Sequence, residues 1–247
     1  MSTYTLRHPE LAALCADHLD PRLRAALREG PAALGSLADP VAPDLFALRI
    51  LSVETCTSLL AELDAFEDWA ARHGVEPERP NSMNYSGVIL ADIGLQGSMT
   101  WLRDAVLAPL GEALLPGFCP EGFDDHHAFA VAYGDGRDRD LGFHADDSEL
   151  TLNLCLGDSF AGGDLYFEGR RCLLHRQHPT LPQDRVLWTH RPGVALVHAG
   201  AHRHGAMPIR SGRRSNLIVW ARSSAVRAGQ EELAEAGGCP DWCSLSA

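Results

Sequence analysis

One alternating run constrains the fold of this chain more than any other feature of its sequence. Leucine fills every second position between residues 150 and 156, so the leucines share one face of an extended chain while Thr151, Asn153 and Cys155 share the other. A period of two predicts a β-strand whose leucine face covers a core. Residues 128–133 alternate in the same way between alanine and Phe, Val or Tyr, which predicts a second strand with one small, closely packed face.

Short strand candidates separated by turn residues fill the rest of the second half. They are residues 86–90, 164–167, 185–189, 194–198 and 215–221, with turns at Gly134-Asp135-Gly136, Gly162-Gly163, Pro192-Gly193 and Ser211-Gly212. Many short strands with glycine and proline between them are typical of a sandwich or barrel of the jelly-roll kind. We therefore predict a mainly β protein with a jelly-roll core.

The first 75 residues or so carry a helical pattern instead. A first helical segment, residues 9–29, ends at Gly30-Pro31, which predicts a stop followed by a loop through residue 40. A strand-like run, residues 46–51, then leads to Ser52, which is suited to cap a helix that continues to Gly74. From about residue 81 the period changes to two. The prediction is a helical N-terminal part, with helices that flank the jelly roll.

The charge composition narrows the classes of function. The chain has 247 residues and a formal net charge of -12, and we expect no general nucleic-acid binding because phosphate contacts need clustered positive charge. All 21 basic residues are arginine, so any carboxylate anchor must be arginine or histidine. No stretch predicts a membrane span, and acidic residues among the first 20 argue against a secretory signal. We expect a cytoplasmic protein.

Seven cysteines are spread along the chain without the close pairs of a disulfide framework, at positions 15, 56, 119, 155, 172, 239 and 243. An odd number of scattered thiols favours the reduced state. Cys239 and Cys243 could hold a metal ion or each other, but a single pair lacks the second pair that a closed zinc site needs. The sequence therefore favours reduced thiols over structural zinc.

Two short motifs supply candidate ligands for a catalytic metal. His144 and Asp146 are two residues apart, so in an extended chain their side chains point to the same side and can meet one cation. His204 adds a second imidazole, and Arg214 follows it ten residues later. Two histidines and one carboxylate form the facial ligand set of non-haem iron oxygenases. An arginine nearby would suit a dicarboxylate co-substrate, because a guanidinium is costly to bury without a partner.

Other polar residues compete with this assignment. Most of the 12 histidines are expected to be ordinary hydrogen-bonded residues, but His198 and His202 lie close enough to His204 to be ligands if the strand register differs. The acidic stretch at 135–149 lacks the spacing of a calcium-binding EF-hand loop. We expect a solvated loop there, with Asp147 and Glu149 facing the metal surroundings or the substrate.

Five longer stretches are characteristic of one family. They are residues 80–88 (PNSMNYSGV), 128–133 (AFAVAY), 138–153 (DRDLGFHADDSELTLN), 162–167 (GGDLYF) and 216–220 (NLIVW). The segment from about residue 123 to residue 224 resembles the iron(II)/2-oxoglutarate dioxygenase domain of the prolyl 4-hydroxylase type. It is more closely similar to the 2-oxoglutarate and iron-dependent oxygenase domain-containing protein 2 group, and the likeness covers some two thirds of the chain.

The resemblance implies a double-stranded β-helix in which His144, Asp146 and His204 bind iron(II). It also implies three parts: a helical N-terminal extension at 1–42, the dioxygenase domain at 43–225 and a C-terminal tail at 226–247. These boundaries place all three implied ligands in the middle part.

The same resemblance implies how 2-oxoglutarate is held. In the family pattern ten residues separate the second histidine from the cation that pairs with the distal carboxylate, which indicates Arg214 here, with Arg213 as the alternative. Tyr133 is the implied hydrogen-bond donor to the co-substrate. Where some relatives have a second tyrosine this chain has a cysteine, so Asn153 or Thr151 is expected to take that role.

The implied activity is the oxidation of a C–H bond, with hydroxylation expected, while 2-oxoglutarate and O2 become succinate and carbon dioxide. The expected substrate is an amino acid, a peptide or a related small molecule, with Asn81, Asn84 and the connection at 170–185 as candidate contacts. Two alternatives stay open. One is a non-catalytic, cupin-like metal-binding module, and the other is the same iron chemistry giving desaturation, cyclisation or demethylation. The oligomeric state is not predicted.

Overall fold

Two antiparallel β-sheets form the centre of this computed structural model, which describes residues 4–119, 121–157, 159–243 and 245. The strands are β1 (Asp39–Ala42), β2 (Leu45–Leu48), β3 (Gly87–Ile89), β4 (Asp125–Gly134), β5 (Leu141–His144), β6 (Leu150–Gly157), β7 (Phe160–Gly162), β8 (Leu165–Arg170), β9 (Arg185–Trp188), β10 (Ala195–Ala199), β11 (His202–Ala206) and β12 (Ile209–Arg222). The helices are α1 (Pro21–Glu29), α2 (Pro31–Leu37), α3 (Val53–His73), α4 (Gln96–Leu102), α5 (Ala108–Leu114) and α6 (Ser224–Glu235), with a π-helical turn at Arg103–Leu107.

The larger sheet has the strand order β1-β2-β10-β6-β12-β4-β3, with β7 paired to the long strand β12. The smaller sheet has the order β5-β11-β8-β9. Apolar side chains from β2 and β10 of the larger sheet pack in one cluster with side chains from β8 and β11 of the smaller sheet. The two sheets therefore face each other, and the predicted mainly β architecture is confirmed.

The leucine alternation at residues 150–156 divides the larger sheet into two faces. Leu150, Leu152 and Leu154 of β6 lie in the main core, together with leucines of the N-terminal helices and α3. Thr151 and Asn153 instead line a cavity between the sheets. A period of two thus separates a helix-covered hydrophobic face from a polar inner face, as the sequence predicts.

The predicted helical segment at 9–29 is an α-helix only from Pro21, after short 3-10 turns at Pro9–Ala13 and Ala16–His18. Beyond that segment, the helical regions agree with the prediction in one place and differ in two. Ser52 caps α3 by accepting a hydrogen bond from the Thr55 amide, as predicted. The loop predicted after Gly30-Pro31 is wrong, because Gly30 turns the chain at φ +101° and Pro31 begins α2. Proline suits the first turn of a helix, where its missing N–H has no intrahelical partner to lose.

The second difference lies at residues 96–114, where the chain is helical and not extended. Leu102, Val106 and Leu110 recur at four-residue spacing and are fully buried, so this segment covers the larger sheet as a helix. The change to a period of two therefore comes near β4 and not at residue 81. None of the helices in the described part of the chain has the length and apolar character needed to cross a membrane.

Candidate metal centre and co-substrate cavity

Strand pairing brings the three predicted ligands together at one edge of the smaller sheet. His144 ends β5 and lies opposite His204 of β11 in the antiparallel register. Asp146 follows two residues after β5, and its backbone amide donates a 3.0 Å hydrogen bond to the carbonyl of Gly200. The local fold thus sets one imidazole on each of two neighbouring strands and turns the carboxylate towards both.

The ligand atoms of His144, Asp146 and His204 lie within 4.8 Å of one another. The Nε2 atom of His144 is 3.4 Å from Oδ1 of Asp146, and Nε2 of His204 is 3.8 Å from the same oxygen. The imidazole ring centroids are 4.4 Å apart. Separations of this size match donor atoms that share one first-row metal ion with bonds of about 2.0–2.2 Å. The three residues could therefore hold iron on one face and leave its other positions open.

Hydrogen bonds around the ligands fix which atom faces the shared centre. Nδ1 of His144 donates to the Gly142 carbonyl at 2.8 Å, and Nδ1 of His204 donates to the His202 carbonyl at 2.9 Å. Both rings therefore present Nε2 to the metal position. The hydroxyl of Thr151 donates to Oδ2 of Asp146 at 2.7 Å, which leaves Oδ1 turned towards the histidines.

The protonation states suit metal binding. Burial lowers the pKa of His204 to about 3, so this imidazole is neutral at physiological pH. Burial alone would raise the pKa of Asp146, but its interactions with the neighbouring His204 and His144 imidazoles, including the hydrogen bond from His144, lower it below the ordinary value, which keeps the carboxylate ionised. For His144 burial acts to lower the pKa, yet the hydrogen bond and charge of Asp146 outweigh it and raise the pKa. His144 is therefore the ligand at which protons compete with metal.

A cavity between the two sheets begins at this centre and contains about 430 Å3 of empty space, counting its open mouth. His144, Asp146 and His204 line it from the smaller sheet and the adjacent loop, whereas Arg214 lines it from β12 of the larger sheet. Arg214 is 1% exposed, and its Nη1 donates to the Gly163 carbonyl. Among the described residues, no carboxylate forms an ion pair with Arg214. A deeply buried cation faces the same space as the metal ligands.

Aromatic and amide side chains complete the walls around Arg214. The guanidinium carbon lies 4.6 Å from the centroid of the Tyr133 ring, and burial raises the pKa of Tyr133, so the phenol stays protonated. Asn84 donates to the Tyr133 oxygen at 3.1 Å, which leaves the phenolic proton available for another acceptor. The amide of Asn216 donates to Oδ1 of Asn153 at 2.6 Å. These contacts keep polar groups in place on an otherwise apolar wall.

Several buried polar atoms of this cavity have no hydrogen-bond partner within the described residues. They are Nε of Arg214, Oδ1 of Asn216 and Nε1 of Trp220. Unpartnered buried donors are costly, because they lose water and gain nothing in return. An anionic ligand with carboxylate and keto oxygens would supply acceptors for the two donors among them. The residues present therefore fit 2-oxoglutarate beside a three-ligand metal ion.

The residues that competed for these roles lie elsewhere. Arg213 points away from the cavity and pairs with Asp64 of α3. His202 donates from Nε2 to the Pro43 carbonyl at 2.7 Å and belongs to no cluster of metal-ligating atoms that the structure describes. His198 is fully buried, and its Nε2 lies 3.9 Å from Oδ2 of Asp146, on the side away from the shared oxygen. The structure thus brings together the predicted triad and Arg214, without these alternatives.

Other predicted residues turn out to support neighbouring elements. Asp147 and Glu149 pair with Arg227 of α6, and Asp147 also pairs with Arg222. Both acidic residues therefore contact the last helix, and Asp147 also lines a second cavity that borders His144. In the connection at 170–185, Arg171 is buried against Asp184. That arginine therefore serves the loop's own structure.

Sequence reasoning missed the backbone positions that hold these side chains. A Cβ added at Gly163, which has φ +73°, would lie 2.6 Å from Nη1 of Arg214, so only glycine leaves room for the guanidinium. A Cβ at Gly200 would lie 1.9 Å from the Ser148 carbonyl oxygen, and Gly200 accepts the hydrogen bond of the Asp146 amide. The Gly162-Gly163 pair was visible in the sequence, but only as a turn.

Comparison with known proteins finds relatives of this chain among the 2-oxoglutarate and iron-dependent oxygenases. Residues 1–120 match the family model of the OGFOD2-like domain. The 2-oxoglutarate and iron-dependent oxygenase domain-containing protein ICU11 of Arabidopsis thaliana is 41% identical over 201 residues, which cover 81% of this chain and 50% of that protein. The chain is a relative of these oxygenases. The 2-oxoglutarate and iron-dependent oxygenase domain-containing protein 2 of Homo sapiens is 41% identical over 184 residues, or 74% of this chain and 50% of that protein.

The resemblance predicted from the sequence is therefore confirmed, and the chain spans about half the length of the relatives it matches. A solved structure shares the fold. It is a prolyl hydroxylase in complex with a hypoxia inducible factor peptide fragment, from Trichoplax adhaerens, with a TM-score of 0.52 and 12% identity over 87% of this chain and 98% of that chain. The predicted jelly-roll core is therefore confirmed.

Proposed function

We propose that this protein is an iron(II)- and 2-oxoglutarate-dependent dioxygenase that hydroxylates a C–H bond of an amino acid, a peptide or an amino-acid-derived molecule. One observation carries the proposal. The buried guanidinium of Arg214, which has no carboxylate partner among the described residues, lines the same cavity as His144, Asp146 and His204. A metal site with three ligands alone would fit many roles, but a buried cation beside it fits a dicarboxylate co-substrate.

Each residue then has a defined task. When bound, iron and 2-oxoglutarate would supply the activation of O2 that hydroxylates substrate, with succinate and carbon dioxide as co-products. His144, Asp146 and His204 hold the metal ion. Arg214 pairs with the distal carboxylate of the co-substrate, and its fixed position selects a dicarboxylate of one length.

Hydrogen-bond donors on the larger sheet orient the co-substrate. Tyr133 keeps its phenolic proton and accepts from Asn84, so its own donor is available to 2-oxoglutarate. Asn153 uses its oxygen to accept from Asn216, which leaves its amide N–H groups for the cavity. The hydroxyl of Thr151 already donates its hydrogen bond to Asp146. Of the two residues that the sequence offers for the co-substrate contact, we therefore assign Asn153.

Substrate is proposed to enter where a second cavity meets the metal ligands. That cavity shares His144 with the inner one and is bordered by Asn81, Met83 and His127. Met83, which is 36% exposed, and Leu141 both line this cavity, so the entrance offers apolar contacts beside polar ones. The ligand position held by Asp146 supports hydroxylation, because related halogenases lack this carboxylate to make room for halide.

Succinate formation tests the proposal. The full chain with iron(II), 2-oxoglutarate and O2 is expected to release succinate, and mixing iron(II) with 2-oxoglutarate without O2 should give the visible charge-transfer colour of the chelate. His204→Ala is expected to lose both signals, because one of the three ligands is gone. His202→Gln is the matched control, since its amide can still donate to the Pro43 carbonyl and its backbone carbonyl still holds His204.

The outcomes separate the alternatives. Full turnover in His204→Ala would show that the second imidazole ligand is His198 or His202. Wild-type protein that gives neither colour nor succinate would instead be a metal-binding module without catalysis. Mass spectrometry of an amino-acid and peptide library, read for the gain of one oxygen atom or the loss of two hydrogens, then distinguishes hydroxylation from desaturation.

A further inference from the structure

A second cluster of metal-ligating side chains lies outside the cavity. Cys172 follows β8 by two residues, and His175 ends the 3-10 turn Leu173–His175. Cys239 and Cys243 belong to the C-terminal tail after α6. More than sixty residues separate the two halves in sequence, yet the ligand atoms of all four side chains lie within 4.8 Å of one another.

The distances within this cluster match the edges of a tetrahedron around one ion. The Sγ atoms of Cys172 and Cys239 are 3.7 Å apart, and Nδ1 of His175 lies 3.3, 3.5 and 3.5 Å from the sulfurs of Cys172, Cys239 and Cys243. Zinc bonds of about 2.3 Å to sulfur and about 2.0–2.1 Å to nitrogen give tetrahedral edges of about 3.8 Å between sulfurs and about 3.5 Å between sulfur and nitrogen.

We propose that Cys172, His175, Cys239 and Cys243 form a closed structural zinc site that fastens the C-terminal tail to the loop after β8. Three thiolates and one imidazole are a soft donor set that selects zinc over magnesium or calcium. Four protein ligands leave no open position, which distinguishes a structural from a catalytic zinc site. Binding releases the thiol protons to solvent and involves no change of oxidation state.

Neither a disulfide nor ordinary hydrogen bonding explains the same geometry as well. A disulfide needs about 2.05 Å between sulfurs. It would involve only two of the four side chains and would not explain why the imidazole and the third sulfur lie beside them. Thiols are weak hydrogen-bond donors and acceptors, so contacts between them supply little reason for three sulfurs to surround one ring.

The electrostatic surroundings favour a site of this charge. Zinc with three thiolates and a neutral imidazole carries a net charge of about -1. Cys243 lies within electrostatic reach of the Arg170 and Arg203 guanidinium groups, and both arginines are largely buried. Arg170 also stacks on the ring of Trp242, with 3.8 Å between the guanidinium carbon and the ring centroid. Cations therefore surround the cluster where a negative site needs them.

The helix that carries the tail contributes no buried side chain to its attachment. The structure describes all twelve residues of α6 and none of them is buried, so the helix gains no core packing. Its Arg227 is 34% exposed and pairs with Asp147, which is 59% exposed, and with the buried carboxylate of Glu149. The exposed pair with Asp147 contributes at most about 1 kcal/mol. A four-ligand metal site would supply the attachment that hydrophobic burial does not.

The cluster borders a cavity that reaches the proposed iron centre. Leu173 and Arg176, each next to a proposed zinc ligand, line this cavity on one side, and Gln230 and Glu231 of α6 line it on another. Asp146 also lines it. Zinc would therefore fix two segments that frame the approach to the metal-binding loop.

Metal analysis of the full chain tests this site without any assay of activity. Protein produced with zinc in the medium is expected to hold about one tightly bound zinc whose X-ray absorption shows about three sulfur neighbours and one nitrogen. The triad site has no sulfur, so zinc bound there gives a different spectrum. A Cys172–Cys239 disulfide in peptide mapping without reductant, or zinc with no sulfur neighbours, would overturn the proposal.

Variants locate the ion. His144→Ala removes a ligand from the triad and is expected to leave the sulfur-bound zinc in place. Cys243→Ser is expected to lose it, and to raise the rate of tryptic cleavage at Arg227, since the segment that follows α6 is then no longer fastened by the metal ion. Cys15→Ser is the matched control, because Cys15 is exposed and outside the cluster. Equal zinc content in Cys243→Ser and Cys15→Ser would also refute the site.

Discussion

The two clusters of metal-ligating side chains differ in the kind of backbone that carries them and in what lies beside them. His144 and His204 sit on paired strands, and the third ligand, Asp146, follows one of those strands directly. The four side chains of the cysteine cluster come from a short turn and from a tail without regular structure. The first cluster opens onto a cavity with a buried arginine, whereas the second encloses its centre with its own ligands.

This difference connects ligand number to function. A catalytic metal needs positions left open for ligands that react, so three protein ligands on rigid strands are an advantage. A structural ion stabilises by joining segments that would otherwise be held weakly, so four ligands from two distant parts of the chain are the advantage there. The sheets thus hold the ligands of the proposed iron site in position, whereas the proposed zinc ion would itself hold the tail in position.

After the loss of a metal ligand, the largest effect expected at the open cluster comes from its arginine, which has no counterpart at the closed one. Arg214→Ala should raise the 2-oxoglutarate concentration needed for half-maximal succinate formation by about two to three orders of magnitude, because removing one partner of a buried charge pair costs about 2–5 kcal/mol. Arg213→Ala is the matched control, since Arg213 contacts Asp64 away from the cavity.

Steady-state kinetics with 2-oxoglutarate as the varied substrate measures this contrast. The sulfur-bound zinc content should be the same in both arginine variants, because neither residue belongs to the cysteine cluster. The opposite ranking of the two arginines would show that the co-substrate anchor is misassigned by one residue.

The same contrast explains what the sequence could predict. The triad was accessible because a strand has a fixed period, so two residues apart means the same side, and because the spacing from His204 to Arg214 follows a family pattern. The two faces of β6 could be predicted for the same reason. Here local geometry, readable from the order of residues, determines which side chains meet.

The cysteine cluster was missed because its two halves come from segments with no periodic pattern. Cys239 and Cys243 form a visible pair in the sequence. Cys172 and His175 lie in a long connection more than sixty residues earlier, and no sequence pattern links them with the two cysteines of the tail. Long-range contacts between irregular segments depend on the whole fold. The helical segment at residues 96–114 and helix α2 were not predicted for a related reason, since burial in the core determined them and not the local turn residues.

A smaller effect is expected from the hydroxyl that orients Asp146. Thr151→Val keeps the shape of the side chain and removes the 2.7 Å hydrogen bond to Oδ2, so the affinity for iron(II) should fall by about 10- to 100-fold. Anaerobic titration with iron(II), followed by the charge-transfer colour with saturating 2-oxoglutarate, gives this affinity. Cys119→Ser is a control outside both clusters. An unchanged iron affinity in Thr151→Val would mean that strand pairing alone fixes the carboxylate.

The smallest change is a gradual dependence on pH that differs between the two clusters. A metal ligand must be neutral imidazole or an anion. Of the three triad ligands in the metal-free protein, only His144 has a pKa raised above its ordinary value, whereas the pKa of His204 is about 3 and that of Asp146 is lowered. As pH falls through the pKa of His144, one proton must leave before metal binds, so affinity should fall by about tenfold per pH unit and level off above that pKa. The cysteine cluster must release several thiol protons, so its affinity should fall more steeply over the same range.

Cobalt(II) titration at several pH values separates the two metal affinities, because only the cysteine site gives intense sulfur-to-cobalt bands. Equal slopes at the two sites would contradict the assignment of thiolates to one and of imidazoles and carboxylate to the other.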